Sequence, residues 1–261
     1  MFLSLDLKKC FVVAEYTFKE VLKSKVLLNV FFLGIGLMVV TFVGSEFTYG
    51  VPEKVAIDFG LGSLSLSSIV IAILMGVGLI SQEIENRTIY MVLSRPITRT
   101  TFLIGRCAGL IGVLILNILI LGIMSISFSL FLGGQFSPLI PWVLLFSILE
   151  AMIILLVVIC FSLITNSTMT VIYSFAIYVL GHAISENQLA MFAKKSPMLG
   201  HLLQGYGFVF PNFSKLNIKD FILYEQSLDP NFLSFALAYG LLYIVVLIVV
   251  SCFIFNNKSL D

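Results

Sequence analysis

Charge is what this sequence lacks most. Charged side chains make up 11% of its 261 residues and hydrophobic ones 59%, against about 25% charged in an ordinary soluble domain. A water-soluble fold of this length cannot cover that much apolar surface. A basic excess is missing too. The net charge is +1, whereas nucleic-acid-binding domains carry a strongly basic face, so no nucleic acid is expected as a partner. Reactive clusters are also absent. The four cysteines, Cys10, Cys107, Cys160 and Cys252, form no CxxC pair. Reduced, inert thiols are expected, with neither a metal nor a redox site. The two histidines, His182 and His201, lie far apart in sequence. No GxxxxGK[ST] phosphate loop, HExxH or GxSxG motif occurs, so the chain is not expected to bind ATP by that route, to hold a cofactor or to be an enzyme.

Long apolar runs are what the sequence has in abundance. A span needs about 20 apolar residues to cross ~30 Å of hydrocarbon. Six runs come near that length: Val26–Gly44, Gly60–Ser81, Phe102–Leu132, Ile140–Ile164, Met169–Ser185 and Phe232–Phe255. They predict an all-α polytopic membrane protein with six transmembrane helices, folded as a single membrane domain over 1–261. The first run follows a charged segment and has no small-residue cleavage pattern, so it is expected to be a retained span. Before it, Leu7–Lys25 places Leu7, Phe11, Ala14, Phe18, Val21 and Leu22 on one helical face and Lys8, Lys9, Glu15, Lys19, Glu20 and Lys23 on the other. That pattern predicts an amphipathic helix lying in the interface, lysines toward anionic headgroups.

Two connections stand out. Glu186–Asn231 is the longest non-spanning segment, and its scattered apolar residues predict short helices resting on the outer membrane face. Ser196-Pro197 resembles a helix start within it. Met191, Met198 and His201 in this segment are soft enough to suggest copper ligands, but their loose spacing among aromatics favours interfacial packing. The other connection, Gln82–Thr101, is charged. A short helix fits Glu83–Leu93, with its acids in the first turn where the helix dipole favours them, and Pro96 turns the chain. Such a helix can seat in a partner's groove or stay a solvated loop. The third span opens with Gly105-Arg106-Cys107-Ala108-Gly109, a GxxxG pattern suited to close helix contact.

Lysine and arginine set the expected orientation. With both termini inside, one face holds Lys8, Lys9, Lys19, Lys23, Lys25, Arg87, Arg95, Arg99, Arg106 and Lys258. The other holds Lys54, Lys194, Lys195, Lys215 and Lys219. Positive charge favours the cytoplasmic side, which places N and C termini in the cytoplasm.

Glu150 is the only carboxylate deep in an apolar run. A charge at mid-span costs roughly 3 kcal/mol or more, so such a residue faces protein or water. It is open to two readings: a translocation-path or gating residue, or a protonated or hydrogen-bonded glutamate joining two helices. The second is the expected one. His182, near the outer end of the fifth span, is at a depth compatible with facing it.

The stretch from Glu83 to Arg106, Glu-Ile-Glu-Asn-Arg-Thr-Ile-Tyr-Met-Val-Leu-Ser-Arg-Pro-Ile-Thr-Arg and onward to Gly105-Arg106, resembles the signature of type-2 ATP-binding-cassette transporter permeases. In that signature an acidic residue precedes a Thr-Ile/Leu pair, followed by Leu-Ser-Arg-Pro-[Ile/Val]-x-Arg and a Gly-Lys/Arg pair opening the third span. The six-span plan with inside termini is similar as well. Pro211–Asn217 and the ending Phe253–Asp261 resemble a branch near permeases linked with multicopper-enzyme maturation. The resemblance implies the membrane subunit of an exporter in the bacterial inner membrane. Its implied partners are cytoplasmic ATP-binding-cassette ATPase subunits and a second permease chain, identical or related. It also implies that Glu83, Glu85, Asn86, Arg87, Thr88 and Ile89 make or support the ATPase-coupling contact, with Arg95, Pro96 and Arg99 shaping the return into the third span. The alternative is a non-transporting membrane anchor that recruits soluble partners.

Overall fold

The computed structural model describes residues 2–23, 26–46, 52–78, 97–183, 210–219, 221 and 230–258. Among these the chain is all-helical, with no strand. The helices are α1 (Phe2–Lys23), α2 (Val26–Glu46), α3 (Pro52–Gly76), α4 (Arg99–Phe131), α5 (Ile140–Ile164), α6 (Ser167–Ala183) and α7 (Pro230–Asn257), with a 3-10 turn at Phe213–Lys215.

Four stretches are long and apolar enough to cross a membrane: Glu53–Gly76, Arg99–Phe131, Ile140–Ile164 and Asn231–Asn257. The sequence predicted six. The first and fifth expected spans are helical but are not among the four. In α2 the apolar stretch recognised among the described residues is Gly34–Gly44. The helix α6 has 17 residues, about 25 Å at ~1.5 Å per residue. Of the short helices expected across Glu186–Asn231, the 3-10 turn Phe213–Lys215 lies within the described residues; Met191, Met198 and His201 lie outside them.

The helix α3 begins eight residues earlier than the expected second span. Pro52 takes the first helical position, where its missing N–H costs nothing, and Glu53 complements the dipole in the first turn. At its far end α4 stops at a glycine: Gly133 has φ +94°, and the Gly133 and Gly134 amides donate to the Leu130 and Ser129 carbonyls at 3.1 and 3.0 Å.

The bundle is built around α5, which packs on α3, α4, α6 and α7. It is apolar on all sides, as a central helix must be. Ile153, Ile154, Leu155, Val158 and Ile159 are each fully buried or nearly so. The outer helices turn large apolar side chains outward instead. Phe235, Leu242, Val249 and Phe253 of α7 are all more than 60% exposed, as are Leu74 of α3 and Ile123 of α4 at about that level. Inside, by contrast, lie Ser67, Ser68, Asn117, Glu150 and Ser174. Apolar stripes this extensive would be untenable in water. In hydrocarbon they are the stable surface, and polar groups gather inside.

The N-terminal helix is present as α1 and packs along α4. Thr17 and Val21 are buried while Leu7 and Phe11 are each about two-thirds exposed. The reason is α4, which presents Gly105, Gly109 and Gly112 to α1. A Cβ at Gly105 would stand 2.9 Å from the Cys10 carbonyl oxygen, and one at Gly109 would stand 2.6 Å from that of Ala14. The backbones therefore touch. The flank bearing Leu7 and Phe11 is left exposed.

Candidate functional site

Among the described residues, two polar centres hold side chains singled out from the sequence. The first lies where the N-terminus of α4 meets the C-termini of α5 and α7. Thr98 caps α4, its hydroxyl accepting from the Thr101 amide at 3.3 Å. Arg99 follows, a cation at a helix start, where its own helix dipole disfavours it. Its Nη1 reaches across to the end of α7 instead, donating to the Lys258 carbonyl at 2.9 Å and approaching that of Phe255 at 3.5 Å. Lys258 in turn sends Nζ to the Leu163 carbonyl at the end of α5, at 2.6 Å. Both cations thus serve helix C-termini, whose unsatisfied carbonyls favour positive charge. Partial burial pulls the Lys258 ammonium below the usual lysine range.

One helical turn or two further along α4, Arg106 is buried and donates to Glu20 Oε2 at 2.6 Å and to the Thr17 hydroxyl at 3.3 Å. This ion pair fastens α1 to α4 beside the glycine contact. Cys10 lies on the same contact face, and burial pushes its thiol up, so it stays protonated at neutral pH. Arg99, Arg106 and Lys258 therefore make a basic end of the bundle in which α1, α4, α5 and α7 are tied together.

Of the residues expected to carry the coupling contact, the structure places Arg99. Glu83, Glu85, Asn86, Arg87, Thr88, Ile89, Arg95 and Pro96 lie outside the described residues. The segment that holds them returns to the bundle at Ile97-Thr98, directly against the basic end. No family model matches this sequence, and no curated protein does. The resemblance to transporter permeases accordingly rests on the motif residues and on the plan of the chain.

The second centre lies within the bundle, and here the structure brings together Glu150 and His182, the two residues expected to face each other. Glu150 stands fourteen residues before the end of α5 and His182 fifteen after the start of α6. At ~1.5 Å per residue both are about 21–22 Å from the basic end. Glu150 is 6% exposed, and its Oε1 lies 3.4 Å from His182 Nε2. On the other side of the ring, Nδ1 is 3.2 Å from the Tyr178 carbonyl.

Sequence reasoning missed what covers this pair. Phe213 stacks on His182 with ring centroids 5.2 Å apart and planes at 24°, and it is fully buried, with Leu216 and Ile218 nearly so. Segment 211–219 is seated between α6 and α7. The Asn212 amide donates to the Tyr239 hydroxyl at 2.8 Å. Lys215 Nζ sits 5.1 Å from the Tyr239 ring centroid. A Cβ at Gly181 would come within 2.6 Å of the Pro211 carbonyl oxygen. Lys219 is near enough to act electrostatically on both Glu150 and His182. The signal in the sequence was Phe213 in the Pro211–Asn217 motif, but nothing local tied that motif to Glu150.

Proposed function

We propose that this chain is the membrane-spanning permease subunit of an ATP-driven transporter of the type-2 exporter kind, working with separate ATPase subunits and a second permease chain in a bacterial inner membrane. The coupling element on this reading is Gln82–Thr101. The observation that carries it is the clamp at the basic end. A force applied to the charged connection enters α4 at Thr98 and Arg99. Through Arg99 and Lys258 it passes to the C-termini of α7 and α5 in the same motion. Through Arg106 and Glu20 it also reaches α1. Hydrolysis belongs to the partner, because this chain has no phosphate loop. The basic end faces the cytoplasm on this reading, in keeping with the preference of arginine and lysine for that side.

The reading is tested by purifying the tagged chain from its native membranes in a mild detergent. An ATPase with a phosphate loop is expected to accompany it, and reconstitution of the two is expected to stimulate ATP hydrolysis. Glu85→Lys and Arg87→Glu should leave the permease inserted and return hydrolysis to the level of the ATPase alone, since reversing one charge in a desolvated groove repels its partner. If no ATPase accompanies the chain, or both variants stimulate hydrolysis like the unmodified chain, the proposal fails.

A further inference from the structure

The Glu150–His182 pair has a chemistry independent of whether the chain is a transporter. The Tyr178 carbonyl can only accept, so the His182 Nδ1 that faces it at 3.2 Å carries a hydrogen. In a neutral imidazole that leaves Nε2 with a lone pair, and Nε2 is the atom that faces Glu150. Oε1 of Glu150 is buried without a hydrogen-bond partner among the described residues. Two acceptors 3.4 Å apart repel each other unless a proton lies between them. With one proton the contact becomes O–H···N, or equally O⁻···H–N⁺ after transfer along the same line. Both forms carry no net charge, which matters where a lone ion is costly.

We propose that Glu150 and His182 form a proton-binding site, holding one exchangeable proton between Oε1 and Nε2 midway through the bundle, closed on one side by Phe213. The proton comes from water, and on release the carboxylate is left under the electrostatic influence of Lys219. Among the described residues, the other titratable groups near the pair besides Lys219 are tyrosines and Lys215. Tyr178 stands on α6, and Tyr239 and Tyr243 on α7. Lys215 is engaged with the Tyr239 ring. The facing stretches of α3 and α4, residues 61–76 and 108–131, contain no titratable side chain. The four cysteines lie toward the basic end. The site differs from a plain interhelical hydrogen bond in one respect: carboxyl and imidazole must titrate as a unit.

The chain has two histidines, so His201→Gln leaves a single imidazole to observe. Full-length protein in lipid bilayers is titrated with protons, following the ring nitrogens of His182 by solid-state NMR and the carboxylic acid C=O band by infrared difference. The Glu150→Gln spectrum identifies that band. The joint site requires both signals to change over one pH interval. Glu150→Gln should move the His182 transition by about one pH unit or more, the scale on which interacting sites stop titrating separately. Glu150→Asp, which keeps the acid but shortens its reach, should split the joint step in two. Phe213→Ala should speed exchange of the His182 ring hydrogens with water. The proposal is overturned if the two signals change at separate pH values, if only one or neither changes, or if His182 titrates identically with and without Glu150.

Discussion

Gly109→Val is expected to part α1 from α4 and to be among the most damaging single substitutions in this chain. A Cβ at Gly109 would already stand 2.6 Å from the Ala14 carbonyl oxygen and 2.6 Å from Thr17 Cβ. The first of these is backbone and cannot rotate away. Overpacking of a tight contact costs about 1–3 kcal/mol, occasionally more. Here it has a second consequence. Arg106 donates to Thr17 and Glu20 of α1, so moving α1 also takes these two partners from a buried guanidinium. Thermal unfolding in detergent should show a markedly lower midpoint, and proteolysis should reach α1 first. Gly36→Ala is the control, because nothing lies within 4 Å of the added methyl. Equal midpoints for the two variants would mean that α1 is not held on α4 as described.

Gly181→Val is expected to unseat segment 211–219. The new side chain would collide with the Phe213 ring and stand, at its Cβ, 2.6 Å from the Pro211 carbonyl oxygen. Phe213, Leu216 and Ile218, now 0–2% exposed, would lose their pocket. Burying one such side chain is worth about 1.5–3 kcal/mol, so the segment has little reason to remain once Phe213 is displaced. In a background without native cysteines, Ser214→Cys reports the event. Its reaction with a thiol reagent should be at least severalfold faster when Gly181→Val is added. An unchanged rate would show that the segment is not held by the Gly181 contact. Because His182 is stacked under Phe213, the same substitution should also open the proton-binding pair to water.

These two contacts mark where reading the sequence stops. Helices were legible from composition, because an apolar run of the right length has few alternatives. The expected fourth span coincides with α5, and the third and sixth differ from α4 and α7 by a few residues at their ends. Glu150 and His182 were legible as a pair of compatible depth, since both positions can be counted along helices of fixed rise. The start of α3 was missed because Glu53, Lys54 and Asp58 interrupt the apolar pattern before Gly60, while Pro52 and Glu53 serve as a helix start. GxxxG announced a close contact without naming its partner. That partner is α1, whose Glu20 lies 86 positions from Arg106, and local spacing cannot report a pair so distant. Arg99 was read as shaping the return into the third span and Lys258 as part of a charge bias, whereas each serves a particular helix end. The seat of Phe213 is likewise tertiary: only the packing of α6 against segment 211–219 creates it.

The account places the basic end in the cytoplasm and the turn between α4 and α5 on the opposite side of the bilayer. Sidedness is therefore its most direct test. Two exposed polar positions mark the ends: Asn257 beside the Arg99–Lys258 clamp, and Gln135 in the turn after α4. Each is replaced by cysteine in a background lacking Cys10, Cys107, Cys160 and Cys252, and intact cells are treated with a membrane-impermeant thiol reagent. The account predicts that the Gln135→Cys variant reacts at once and that the Asn257→Cys variant reacts only after the membrane is opened. Reaction of the Asn257→Cys variant in intact cells, with protection of the Gln135→Cys variant, would invert the bundle and remove the basic end from any cytoplasmic ATPase. Reaction of both from outside would contradict a membrane-spanning arrangement altogether.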